Sequence, residues 1–148
     1  MRKRYKAKQV GNDLETQVAK LLDAASIPYI QESTVSSGRK RVKGSIDFTL
    51  KNPIAYIECK AYTKSISYKY DSEIHDITWS QLLILHKKHK EGYTSGLILK
   101  ENTDRRLYFI RIEDFMSNWI TSSKKSLNLA DVQRIGTEVI DIRELIEG

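Results

Sequence analysis

At 148 residues, 40% of them hydrophobic and 30% charged, the chain is long enough for one domain with a sizeable core and too apolar to be wholly disordered. A formal charge of +6 at pH 7 and a sequence pI of about 9.3 point to a polyanionic partner. The single cysteine, Cys59, excludes an intramolecular disulfide, and no apolar run approaches the ~20 residues that span a bilayer. With a basic N-terminus that lacks an apolar signal core, the expected location is the cytoplasm.

Residues 1–10 form a basic tail in which Arg2, Lys3, Arg4, Lys6 and Lys8 meet no acid. Gly11-Asn12-Asp13 reads as a helix start with Asn12 or Asp13 as the cap. Leu14, Val18, Leu21, Leu22 and Ala25 then recur at helical spacing, with Glu15 at the edge of that stripe. Ile27-Pro28-Tyr29-Ile30 predicts a first strand. Residues 31–44 are polar and carry a second basic run, Arg39, Lys40, Arg41 and Lys43, which reads as a loop or projecting arm.

Ile46 to Leu50 and Ala55 to Lys60 predict two strands, and Lys51-Asn52-Pro53-Ile54 between them carries turn chemistry, so they form a hairpin. Alternation sends Ile46, Phe48 and Leu50 to one face and Asp47 and Thr49 to the other. In the second strand Ile57 and Cys59 oppose Tyr56, Glu58 and Lys60. The two polar faces coincide, which gathers two carboxylates and an ammonium. Carboxylate oxygens are the hard ligands that Mg²⁺ prefers, and an adjacent lysine can place a hydroxide or stabilise a phosphoryl transition state. The plainer meaning of the same spacing is a cross-strand ion pair. Placement favours the metal, because carboxylates in strongly apolar strands are costly unless a cation compensates them.

After the hairpin, residues 61–77 show no clear period, and a helix begins near Asp76 or Thr78, marked by Leu82, Leu85 and His89 and stopped by Gly92. Strands follow at Ser95 to Lys100 and Leu107 to Ile112, divided by a polar turn over residues 101–106. The tail offers a short helix through Phe115 and Trp119, a polar linker over residues 121–126, and a segment from Val139 to Ile146 of undetermined type. This order describes one domain, an α/β sandwich with helices packed on a mixed sheet.

Three side groups of residues need weighing. Glu15 alone reads as a first-turn acid favoured by the helix dipole; beside the hairpin it becomes a candidate ligand, and Gln81 a candidate for orienting water or phosphate. His86 and His89 share a helix face, but Lys87, Lys88 and Lys90 around them repel a cation, which argues against zinc. Tyr62, Tyr68 and Tyr70, with Lys64 and Lys69, suit either stacking on unpaired bases or covering a sheet edge.

Gly11-x-x-x-Glu15, then Asp47, then Glu58-Cys59-Lys60 and a helix with Gln81 resembles the PD-(D/E)XK nuclease superfamily. The layout is most similar to the RecU-type Holliday junction resolvases of Gram-positive bacteria and their phages, from about Gly11 to Ile112. Ser45-Ile46 stands where a proline often precedes the aspartate, and Ser80 where members commonly show histidine. The resemblance implies a restriction-endonuclease-like mixed sheet flanked by helices. It also implies a homodimer that cuts four-way DNA junctions with Mg²⁺ or Mn²⁺. Asp47 and Glu58, with Cys59 through its carbonyl and Glu15 as an accessory acid, would hold the metal. Lys60 would be the catalytic lysine and Gln81 the supporting glutamine. Arg2, Lys3, Arg4, Arg39, Lys40, Arg41, Lys43 and Lys64 would contact DNA, the arm of residues 31–44 entering the junction. A nuclease of the same superfamily acting on another DNA, in restriction or repair, and an inactive DNA-binding module are the competing expectations.

Overall fold

The computed structural model describes the backbone of residues 2–32, 46–67, 77–122 and 126–147, and within these the side chains from residue 13 onward. Strands β1 (Tyr29–Gln31), β2 (Phe48–Lys51) and β3 (Ile54–Tyr62) form an antiparallel run at one edge of a six-stranded sheet. β3 then pairs in parallel with β5 (Thr94–Glu101), β5 pairs antiparallel with β6 (Tyr108–Arg111), and β6 in turn pairs antiparallel with the two residues of β8 (Thr137–Glu138). A parallel pair needs a crossover, and it runs through β4 (Ser65–Ser67) and α2 (Trp79–Lys90). β4 pairs separately with β7 (Ser126–Asn128).

Both faces of the sheet are covered. On one, α1 (Arg2–Ala24) packs through Leu14, Val18 and Leu22 and α5 (Ile142–Glu147) through Ile142 and Ile146, against Phe48, Leu50, Ile57, Cys59 and Ile98. On the other, α2, α3 (Ile112–Thr121) and α4 (Leu129–Ile135) bring Leu82, Leu85, Phe115 and Val132 onto Leu97, Leu99, Tyr108 and Ile110. This is the expected helix-flanked mixed sheet. The alternation in β3 also stands: Ile57 and Cys59 belong to the α1 face, and Tyr56 packs toward α2.

Local chemistry sets the ends. Thr78 caps α2 by accepting from the Gln81 N–H, and Gly92, at φ +96°, closes it as the Gly92 and Tyr93 N–H groups reach back to His89 and Lys88. Asn128 and Asp131 cap α4 in the same reciprocal way.

Several expectations are corrected. α1 does not start at Asn12 or Asp13 but runs from Arg2, so the backbone of the expected tail is helical. Its Lys, Arg, Ala and Gln residues are good helix formers, and one interior glycine costs only ~1 kcal/mol. The first strand is shifted to Tyr29–Gln31. Ile46 does not share a face with Phe48, because Asp47 is bent and the strand begins only at Phe48; Ile46 joins the core on the α2 side. The expected linker over residues 121–126 ends in the first residue of β7, with residues 123–125 outside the description, and Ile142–Glu147 is helical. Asp76 also lies outside the described residues, and α2 begins at Trp79.

Candidate active site

The backbone ladder between β2 and β3 stops at Phe48 opposite Ile57. Beyond it, side chains take over the pairing. The Cys59 N–H donates to Asp47 Oδ2 at 2.8 Å, and the Asp47 N–H donates to Glu58 Oε1 at 3.0 Å. The Asp47 carbonyl in turn accepts from the Glu32 N–H at 2.9 Å, which ties the start of β2 to the end of β1. Asp47 and Glu58 are thereby locked side by side, at 2% and 1% exposure.

Two side chains meet Glu58 from above. The Lys60 Nζ stands 3.6 Å from Glu58 Oε2, with its side chain 24% exposed, and the Gln81 side-chain amide donates to the same oxygen. Gln81 has no freedom to turn away. Its Oε1 accepts from the Thr78 N–H at 3.2 Å while its own N–H donates to Thr78 Oγ1 at 3.3 Å, so the α2 capping box aims the amide nitrogen at Glu58. The carboxylates are the floor of the site and the half-buried Lys60 and Gln81 its rim.

Glu15 stands half-buried on α1, on the Cys59 side. Burial first, and then the charges of Asp47, Glu58 and Glu15, push the Cys59 thiol well above its ordinary pKa. That thiol therefore stays protonated and is no thiolate ligand. Among the described residues, no three His, Cys, Asp or Glu groups form a set that could hold a metal ion, so Glu15, Asp47 and Glu58 do not make a ready cage. The donor chemistry nevertheless fits Mg²⁺. That ion is commonly held by one or two carboxylates and completed by water and substrate phosphates, and two adjacent buried carboxylates repel each other in a way a cation relieves.

The remaining candidates separate cleanly. Tyr62 is 5% exposed and packed in the α2-side core, which overturns base stacking for it: strand alternation on β3 points it inward. Tyr68, Lys69 and Tyr70 lie outside the described residues, as do Arg39, Lys40, Arg41 and Lys43 and the side chains of Arg2, Lys3 and Arg4. Lys64 is exposed beyond the end of β3. His89 faces Glu113 at 3.4 Å and its ring lies 6.5 Å from that of His86, with no metal set around them among the described residues. Sequence reasoning named Thr78 only as a start of the helix and missed its hold on Gln81, although Thr78-x-x-Gln81 is the capping-box spacing that marks it.

Fold and site together define a restriction-endonuclease-like α/β domain whose β2–β3 hairpin carries paired carboxylates with a lysine. The chain is similar to the Holliday junction resolvase Hjc of Archaeoglobus fulgidus, an archaeal hyperthermophile. The likeness covers 89% of this chain and 98% of that one, with a TM-score of 0.57 at 12% identity, and it is one of fold. No protein-family model and no curated protein matches the sequence. No helix among the described residues is long and apolar enough to cross a membrane.

Proposed function

We propose that the protein is a metal-dependent structure-specific DNA endonuclease that resolves four-way junctions. The single observation that carries this is the interlock of Asp47 and Glu58, buried together with Lys60 3.6 Å from Glu58. The fold shared with a Holliday junction resolvase and the basic chain support the same substrate.

Asp47 and Glu58, with the Cys59 carbonyl and Glu15 in support, would hold Mg²⁺ or Mn²⁺. Such an ion, when bound, lowers the pKa of a water and neutralises charge on the phosphate. The chain's own residues do the rest. Lys60, at the rim, positions the attacking water and meets the negative charge that develops on the phosphoryl oxygens. Gln81, fixed by Thr78, holds the Glu58 carboxylate in one orientation so that its other oxygen stays aligned with Asp47. The basic runs at residues 2–8 and 39–43 neutralise converging phosphate backbones, the second as an arm within the junction. Equivalent cuts on two strands need two sites, so the working form is a homodimer. Cleavage leaves a 5′-phosphate and a 3′-hydroxyl.

The test is cleavage of a labelled four-way junction against matched duplex and flap DNA, with and without Mg²⁺. Symmetric nicks in the junction, dependent on the metal, are expected. Equal cleavage of duplex would move the protein to another substrate of the same chemistry, and binding without product under several divalent metals would make it an inactive module.

A further inference from the structure

Where β3 ends, the chain turns through Thr63 and Lys64 into β4, and Lys64 adopts φ +67°. The Ser65 N–H donates to the Thr63 carbonyl at 2.8 Å, closing a three-residue γ-turn around the lysine. The left-handed region is unfavourable for any residue with a Cβ, and lysine is not among those that tolerate it; glycine is the default there. An exposed lysine stands at a position the backbone would give to glycine.

The end of β5 grips this turn. Glu101, 6% exposed, accepts from the Lys64 N–H at 3.5 Å, from the Thr103 N–H at 3.1 Å and from the Thr103 hydroxyl. Asn102 donates its side-chain amide to Thr63 Oγ1 at 2.7 Å and its backbone N–H to the Tyr62 carbonyl at 2.7 Å. Such strain persists only where the surroundings over-determine it, and it gathers at functional sites. β3 carries Glu58 and Lys60, so Lys64 follows the rim lysine by four residues. At ~3.3 Å per residue that is at most ~13 Å, the length of a few nucleotide steps at ~3.4 Å of duplex axis each.

We infer that Lys64 contacts a DNA phosphate beside the scissile one, and that Glu101 is a positioning residue that holds the lysine in place. The inference rests on the nuclease reading and deepens it by locating one point where the flanking backbone is fixed. The plainer reading is a solvated lysine in a structural turn, and the two differ in what glycine would do.

The experiment measures junction affinity across salt concentrations for the full chain, for Lys64→Gly, Lys64→Arg, Glu101→Gln and the Lys64→Gly/Glu101→Gln pair. Metal-dependent cleavage by the unsubstituted protein is the control for the underlying function. Lys64→Gly is expected to weaken binding several-fold and to flatten the plot of log affinity against log salt by about 0.9, the share of one phosphate. Its melting temperature should stay or rise, since glycine accepts this backbone; Lys64→Arg should keep the slope. Glu101→Gln should weaken binding alone but add nothing to Lys64→Gly, although it lowers thermal stability in both backgrounds. Unchanged affinity and slope in Lys64→Gly, or an equal loss from Glu101→Gln with and without Lys64, would overturn the inference. With cleavage intact, either result leaves the nuclease reading standing.

Discussion

Replacing Asp47 by asparagine and by alanine separates what this carboxylate does for the fold from what it does for the chemistry. Asp47 Oδ2 accepts the Cys59 N–H at 2.8 Å, a charge-assisted bond worth about 1.5–3 kcal/mol against about 1 kcal/mol for a neutral acceptor. Asparagine keeps the acceptor and removes one negative charge beside Glu58, so the two effects oppose and the net change in stability stays within about 1 kcal/mol. At about 2–4 °C per kcal/mol for a domain of this size, Asp47→Asn melts within a few degrees of the unsubstituted protein. Alanine leaves the Cys59 N–H without its acceptor in a buried setting and adds a void, at a cost of about 2–4 kcal/mol or roughly 4–16 °C. Cleavage should behave differently: on the proposed reading both variants lose a metal ligand, and the rate should fall by ~10²–10³-fold, as when a charge-stabilising group is removed from an active site. Junction affinity should hold or improve in Asp47→Asn. The assays are thermal unfolding and single-turnover junction cleavage well below both melting points. Cleavage that follows stability, with Asp47→Asn near normal and only Asp47→Ala impaired, would refute the reasoning and reduce Asp47 to a strand clasp.

Three further outcomes are expected. Lys60→Met keeps the aliphatic stem but takes the ammonium away from a Glu58 that is 1% exposed, a loss between the about 0–1 kcal/mol of an exposed pair and the about 3–5 kcal/mol of a buried one, so melting should fall by several degrees while cleavage falls ~10²-fold or more; a rate within a few-fold of normal at a temperature where the variant is folded would remove Lys60 from the chemistry. Gly96→Ala places a Cβ against the Ile110 carbonyl oxygen and the Phe109 ring, in the strand between β3 and β6, and should cost at least about 2 kcal/mol in chemical denaturation; an unchanged midpoint would contradict the β5–β6 packing. Glu101 is held below the ordinary glutamate range, chiefly by the Thr103 hydroxyl, so its stabilisation is full above about pH 4.3 and lost as pH falls through the lowered value. The gap in melting temperature between the unsubstituted protein and Glu101→Gln should accordingly narrow between pH 6 and pH 3, and a constant gap would mean that the carboxylate's charge is not what holds the turn.

The hairpin was legible because its signals are local: period-two alternation through Ile57, Glu58, Cys59 and Lys60, and turn chemistry at Asn52-Pro53. So was the stop of α2 at Gly92, which only a left-handed residue explains. What the residues alone did not convey depends on partners distant in sequence. Ser126–Asn128 is too short to announce a strand and exists by pairing with Ser65–Ser67. Ile46 left the face its alternation assigned because Asp47, drawn to Glu58 and Cys59, bends the chain just before β2. Tyr62 has the composition of a stacking residue and the position of a core one, a choice made by the α2-side packing. For the candidate site, Glu58 and Lys60 were readable from alternation, whereas Asp47 is placed by its bonds to Glu58 and Cys59 at a bend before β2, the Gln81 to Glu58 contact needed the turn geometry at Thr78, and the Glu101 grip on Lys64 left no mark in local sequence.

The claim on which the rest depends is that Asp47 and Glu58 together hold a divalent cation. Titrating Mn²⁺ into the full chain and following bound ion by electron paramagnetic resonance reads this without any DNA or turnover. Saturable binding to the unsubstituted protein, displaced by Mg²⁺ and lost in both Asp47→Asn and Glu58→Gln while the melting curves stay cooperative, is the predicted result. Binding that survives both substitutions, or no binding by the unsubstituted protein with or without junction DNA, would contradict it.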